Sequence, residues 1–578
     1  MSLFLQVSDY FHENGAELAH VFCTVFRYLA PLLGFWIVLR CARPLLRFRR
    51  EPEIWAWLVM PDGKQLPVTH WENIIGRSSG CDIVVDFPTV SRTHAVLTRY
   101  DDGSWSVTDV GGRGAVSVNG EATDVCAVEY GDRISLGGVE MILAPVTAEE
   151  VHAQKQTRTK PSRMALPGFT LFLLVLFQLL TGLQFWMTCE AKYASGIVCS
   201  FLGLIGTELL LFLLLKIIRR RSFEVEGIAF FLSTLGLSVV ASSTPEDIYK
   251  QLICLIGGVV IYLLLGWSLR DLNRAKKFRY LAAVGGILLL LANLVLGKEY
   301  NGARNWIALG PISFQPSELV KICFIYVGAS TMDRIVTKRN MFSFIAYAGV
   351  ICCCLALIND FGTALIFFVA LVVICSLRAG SFSAFALLAT VACAGILFLL
   401  AIDIPEHVMR RFKTWGHVWD DPNAGGYDQV RAMVAVASGG LLGLGAGNGM
   451  FDAMAADTDY VFAYVCEEWG LILGVLAVVA IIVLGLFVVR SCAVGRSSFY
   501  TIGACAAVAV LMIQTIFNVF GTMDLLPLTG VTFPFVSNGG SSMLMSWGMV
   551  AFIKAADTRQ DASFVVKTVK AEEVEPYE

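Results

Sequence analysis

Apolar and polar positions follow two different rhythms along this chain. Long apolar runs lie near 21–39, 166–187, 195–217, 226–243, 249–268, 280–297, 315–332, 341–358, 362–377, 383–402, 460–489, 500–520 and 539–553. Each approaches the roughly 20 residues, at 1.5 Å apiece, that cross a hydrocarbon core. They predict about thirteen crossings. Residues 52–147 instead carry short alternating strands, Ile54–Val59, Ala95–Thr98, Trp105–Thr108 and Ile134–Leu136, separated by Gly, Asp and Pro turns. That spacing predicts an all-β sandwich inserted between helices.

Composition sharpens the first rhythm. Of 578 residues, 56% are hydrophobic and only 16% charged, which marks a polytopic membrane protein. A net charge of −3 argues against nucleic acid as a partner. The 16 cysteines fall mostly inside apolar runs and the 7 histidines lack metal spacing, so both read as ordinary residues of the fold.

Charge also sets the topology. The first apolar run is followed by Arg40, Arg43, Arg47, Arg49 and Arg50, the reverse of a cleaved leader, and reads as an anchor running from outside to inside. Lys216, Arg219–Arg221, Arg270–Arg279, Lys338/Arg339, Arg378, Arg490/Arg496 and Lys554/Arg559 then fall in one set of loops. By the same rule that set is cytoplasmic.

The opposite loops gather the unusual residues. Around Asp457-Thr458-Asp459 a helix meets water, with Glu467 and Glu468 two to three turns further in. Carboxylates there are costly and usually functional, although an acidic helix cap would also account for Asp457. Glu318 and Lys321 are three apart at a helix start and share a face; they suit either a site or a structural ion bridge. Arg410, Arg411, Lys413 and Arg431 oppose the positive-inside trend. They suggest an anionic headgroup such as a lipid pyrophosphate, or else solvated charge. The glycine-rich stretch 438–449 lacks the Lys-Ser/Thr ending of a nucleotide cradle.

Within 52–147, Gly76-Arg77-Ser78-Ser79, Ser91-Arg92-Thr93-His94, Asn119-Gly120 and Gly131-Asp132 resemble the forkhead-associated (FHA) domain. The resemblance implies phosphothreonine binding, with Arg77 and Ser91 at the phosphate and His94 bracing the loop. A guanidinium supplies the forked donors that phosphate oxygens need. The family Asn that reads the peptide backbone is replaced by Gly114, and Gly112 lies in the same loop. A packed sandwich without a ligand is the alternative reading.

Residues 223–555 resemble the SEDS family of RodA, FtsW and SpoVE. The resemblance rests on Asn305-Trp306, Gln315-Pro316-Ser317-Glu318, Asn359-Asp360-Phe361-Gly362, Tyr427, Ser438-Gly439-Gly440, Asp459, Glu467-Glu468-Trp469-Gly470 and Gly539-Gly540-Ser541-Ser542. It implies a ten-helix body that polymerises lipid II into glycan strands at the outer face of the cytoplasmic membrane, in cell elongation or division. The implied partner is a class B penicillin-binding protein, a transpeptidase. Asp459 matches the essential aspartate, and Glu318, Lys321, Asp360 and Arg411 match further catalytic positions. Arg304, Trp306, Tyr427, Arg431 and Ser541 are the expected substrate contacts. Asp457 stands where the family has His, Asn305 where it has Arg and Arg431 where it has Gln.

The expected protein is therefore a polytopic all-α membrane protein with an inserted cytoplasmic FHA sandwich. Its parts are an anchor (1–50), the sandwich (52–147), a linker (148–165), an extra transmembrane hairpin (166–222), the SEDS body (223–555) and a cytoplasmic tail (556–578). No organic cofactor is expected; a divalent cation, Mg or Mn, is admissible at Asp459. A lipid II transporter would need alternating access between repeats, and no repeat is visible. A silent scaffold recruiting phosphorylated partners would not need Asp459.

Overall fold

The computed structural model describes residues 15–47, 52–100, 103–111, 114–159, 167–300, 303–309, 312–332, 338–379, 406–423, 425–495, 497–559 and 562–565. The expected crossing at 383–402, residues Gly112 and Arg113, and the chain after 565 lie outside these.

Helix α1 (Ala16–Arg47) leads into the sandwich. One sheet has six strands in the order β2-β1-β11-β10-β7-β8 and the other five, β4-β3-β5-β6-β9. Here β1 is Ala56–Val59, β2 Gln65–Val68, β3 Glu72–Gly76, β4 Ile83–Val84, β5 Ala95–Arg99, β6 Trp105–Asp109, β7 Val116–Val118, β8 Glu121–Ala122, β9 Val125–Val128, β10 Arg133–Leu136 and β11 Val139–Ala144. The inward residues of both sheets, among them Leu58, Ile75, Leu97, Val107, Ile134 and Met141, form a core of their own. The sequence 148–165 suggests a polar connection, but Ala148–Thr159 is helix α2. Glu150 caps its first turn by accepting the N–H and hydroxyl of Thr147. Its polarity without an apolar stripe hid it from the pattern.

The hairpin is α3 (Pro167–Thr188) and α4 (Ala191–Ile217), and the helical body begins with α5 (Glu224–Ser243). The remaining helices are α6 (Ile248–Leu269), α7 (Leu272–Leu296), α8 (Pro316–Met332), α9 (Lys338–Ile358), α10 (Phe361–Ala379), α11 (Glu406–Thr414), α12 (Tyr427–Gly439), α13 (Val461–Cys492), α14 (Ser498–Thr522) and α15 (Gly540–Ala555). Among the described residues nine helices are long and apolar enough to cross a membrane, with Phe361–Leu377 a shorter apolar one. Helices α8 and α15, of 17 and 16 residues, are likewise short and largely buried. Of the apolar window of α5, 94% of residues are buried, against 17% in that of α7, so α5 lies inside the bundle and α7 faces outward.

Three features go beyond the sequence pattern. A three-stranded sheet, β12 (Lys298–Tyr300), β13 (Ala303–Leu309) and β14 (Ile312–Phe314), precedes α8. The stretch between the apolar runs 383–402 and 460–489 holds α11 and α12. The first residues of the expected tail are packed inward, with Arg559 paired to Asp557 (2.7 Å) and Glu224 (3.4 Å), next to the end of α15, where Lys554 is paired to Glu226 (2.9 Å). Buried ions of this kind persist only when paired and hydrogen-bonded. The sandwich touches the body where the His70 ring meets the Gly495 carbonyl in the α13–α14 turn.

Candidate active site

Asp459 ends a tight turn. Ala455 takes a left-handed φ of 61°, and its carbonyl accepts the N–H groups of Thr458 (3.2 Å) and Asp459 (2.9 Å). Surrounding polar side chains grip the main chain of this segment. Asn518 of α14 donates to the carbonyls of Asp459 (3.0 Å) and Val531 (3.0 Å), and the Ser537 hydroxyl donates to that of Thr458 (2.8 Å). The Asn538 N–H donates to the Asp457 carbonyl (2.9 Å). The Asp457 carboxylate is itself occupied, accepting from Asn538 Nδ2 (2.7 Å) and Ser243 Oγ (3.2 Å). It braces the turn against the end of α5.

The Asp459 carboxylate points elsewhere, towards Gly530. A Cβ at Gly530 would lie 3.2 Å from Asp459 Oδ2 and 3.6 Å from an Arg411 guanidinium nitrogen. Gly530 also has φ of 69°, so both space and backbone favour glycine. Burial pushes the Asp459 carboxyl up to about 6; the Arg411 charge and the Thr458 hydroxyl pull it down, and Asp457 adds to the rise. Desolvation outweighs the cation here. Helix α11, which carries Arg411, is tied to the body beyond its end, where Gly416 N–H donates to Asp524 Oδ1 (3.0 Å).

A second cluster adjoins the first. Lys321 Nζ meets Glu318 Oε1 at 2.7 Å, with side chains only 2% and 5% exposed. The other Glu318 oxygen, Oε2, is buried without a hydrogen-bond partner. Gln315 donates its N–H to Ser541 Oγ (2.9 Å) and its side-chain amide to Asp360 Oδ2 (3.3 Å). Asp360 Oδ1 accepts from Thr363 N–H (3.1 Å) and so caps α10. The clusters meet at Gly362, where a Cβ would come within 2.9 Å of the Thr529 carbonyl beside Gly530.

The remaining expected contacts stand on separate elements. Arg431 donates to the Tyr427 hydroxyl (2.7 Å) one turn away on α12, its guanidinium 5.3 Å from the ring centroid. Arg304 and Trp306 lie on β13, Arg304 exposed and Trp306 half-buried. Glu467 and Glu468 serve the glycine-rich loop. Glu467 Oε2 accepts the N–H groups of Met450 (3.1 Å) and Phe451 (2.9 Å); Glu468 Oε1 accepts from Gly447 N–H (3.2 Å) and the Ser242 hydroxyl. Sequence reasoning missed Asn518 and Gly530. A buried Asn in an otherwise apolar helix was the available signal for the first.

In the sandwich, His94 is buried. Its Nδ1 accepts Ser91 N–H (3.1 Å) and its Nε2 meets the Gly114 carbonyl (3.0 Å). It thus joins the Ser91 loop to the loop where Gly114 stands. Arg77 is exposed, and its guanidinium reaches the Pro88 carbonyl only at 3.5 Å.

Comparison with known proteins places both parts. The family described as cell cycle protein (FtsW, RodA, SpoVE) matches residues 225–561, and the FHA domain family matches 73–137. Over 327 residues the chain is 29% identical to the probable peptidoglycan glycosyltransferase FtsW of Bacillus subtilis, covering 53% of this chain and 79% of that protein. Over 335 residues it is 30% identical to the peptidoglycan glycosyltransferase RodA of Mycobacterium tuberculosis, covering 53% and 69%. A chain from a peptidoglycan synthase complex aligns with 25% identity and a TM-score of 0.47, over 57% of this chain and 96% of that one. More than half of the chain thus carries one family's pattern around Asp459, and the protein belongs to the FtsW/RodA/SpoVE family, with an FHA domain ahead of the family body.

Proposed function

We propose that this protein is a peptidoglycan glycosyltransferase that polymerises lipid II at the outer face of the cytoplasmic membrane. The observation that carries the reading is the Asp459 carboxylate, held by its own backbone, raised to about 6 and set beside Arg411 across Gly530. Glycosyl transfer needs a base at the attacking hydroxyl and positive charge at the departing pyrophosphate. Asp459 takes the proton. Arg411 meets the pyrophosphate, and Arg304 and Arg431 extend the cationic surface towards it. Lys321 is already committed to Glu318, so the pair acts by fixing the start of α8, from which Gln315 reaches Ser541 and Asp360.

The admissible divalent cation would find its protein ligand in Asp459. Among the described residues no three His, Cys, Asp or Glu side chains converge to hold a metal, and no step here passes through one. The basic loops support a cytoplasmic FHA domain, where a phosphothreonine protein would bind through Arg77 and Ser91, with the active site opposite. A class B penicillin-binding protein is the proposed crosslinking partner.

Lipid II polymerisation by the purified protein, with its partner present, tests this. Asp459→Ala should lose about 10²–10⁴-fold in turnover, the usual contribution of a positioned base. The wild-type rate should fall as pH drops through about 6, because the proton acceptor is then occupied. Equal polymer from both proteins would remove Asp459 from the chemistry; no polymer from wild type would remove the enzyme reading.

A further inference from the structure

Hairpin α3–α4 lies outside the family-matched residues 225–561, yet its first helix ends on the loop that leads to Asp459. Gln184, 1% exposed, donates its side-chain amide to the Ala446 carbonyl at 3.1 Å. One residue on, the backbone lies directly against the helix: a Cβ at Gly447 would come 2.6 Å from Thr188 Oγ1. Gly447 also has φ of 80°, so only glycine suits this approach. The far side of the same loop is held by Glu467 and Glu468, which accept the N–H groups of Gly447, Met450 and Phe451. Phe451 then meets Tyr460, the residue after Asp459, edge-on with centroids 6.4 Å apart and planes at 89°. Beneath this path the Trp469 ring is enclosed by Phe26 of α1 and Phe177 and Phe185 of α3, at 6.0, 6.3 and 6.3 Å.

We infer that the added hairpin is a positioning element for the proposed glycosyl transfer, with Gln184 a positioning residue that acts through the glycine-rich loop on the Asp459 turn. The loop's main chain is clamped from two sides. Without the Gln184 amide, the Ala446 carbonyl is buried with one donor fewer, and a glycine-rich segment has little stiffness of its own to keep its path. This inference rests on the reading of Asp459 as the base.

Gln184→Met tests it in the full-length protein, because Met keeps roughly the length and volume of Gln and removes the amide, including the donor to Ala446. Two readouts are needed. In lipid II polymerisation kcat should fall about tenfold with KM within about twofold, since misplacement of a reacting group costs turnover more than binding. In the Ala446→Cys background, where the wild-type site is 1% exposed, maleimide labelling of residue 446 read by mass spectrometry should rise severalfold in Gln184→Met. Equal labelling with and without Gln184→Met overturns the inference whatever the polymer yield. So does unchanged kcat. Absence of polymer from the wild type would sink the glycosyltransferase reading instead, and the labelling would still decide whether the hairpin holds the loop. Thr188→Val serves as a second variant if Gln184→Met fails to insert.

Discussion

On the proposed function the Asp459–Arg411 cluster and the Arg77 loop of the FHA domain each meet an anion, and the two are held in opposite ways. Around Asp459 the neighbours are engaged: Asp457 with Asn538 and Ser243, Asp360 with Gln315 and Thr363, Lys321 with Glu318. In the sandwich the buried His94 holds the loops together, while the exposed Arg77 makes one long contact to Pro88. One site is preorganised by its surroundings. The other keeps its frame and leaves the Arg77 guanidinium exposed, with one long contact to the Pro88 carbonyl. Preorganised charges need no reorganisation when charge develops in a transition state, whereas a binding loop can order its donor on contact at an entropic cost.

Three substitutions test that contrast, from the largest effect down. Lys321→Ala should be the most severe, because it leaves Glu318 as a buried uncompensated charge, a loss of about 3–5 kcal/mol. Thermal unfolding in detergent would show it, and Lys321→Met with Glu318→Met should recover most of the stability. If Lys321→Ala melts like wild type, the pair is not the buried brace described here. Arg411→Ala should leave folding intact and cut polymerisation about ten- to a hundredfold, through loss of a charge-assisted contact of about 1.5–3 kcal/mol. A wild-type rate would reduce Arg411 to solvated charge. The smallest effect belongs to the sandwich. A phosphothreonine peptide should bind the full-length protein weakly, since replacement of the family Asn by Gly114 removes a hydrogen bond of about 0.5–1.5 kcal/mol. Arg77→Ala should abolish that binding. Equal weak signals from both proteins in a fluorescence-anisotropy titration would mean that the sandwich reads no phosphate.

Much of this was legible beforehand because membrane helices and sandwich strands are written in local patterns. Apolar runs of membrane length and period-two strands each declare themselves within a window, and Asp459, Arg411 and Glu318/Lys321 stood out as charges where charge is costly. What escaped was set by distant partners. Helix α2 has no apolar face to betray it, and β12–β14 are three to seven residues each, too short for a pattern. The tail from 556 reads as polar until Glu224, more than three hundred positions earlier, supplies a counter-charge for Arg559. The roles of Asn518 and Gly530 depend on the turn at Ala455, which no spacing announces.

The turn before α13 is held mainly through its carbonyls: those of Asp457, Thr458 and Asp459 each accept a hydrogen bond from Asn538, Ser537 or Asn518. Every residue carries that acceptor. The position of the Asp459 carboxylate is therefore written in Asn518, Ser537 and Asn538 as much as in the turn's own letters. A deep mutational scan of 455–460 should accordingly find position 459 the least tolerant, with a smaller cost at 457, whose carboxylate braces the turn, and a strict constraint on the three residues that donate from outside.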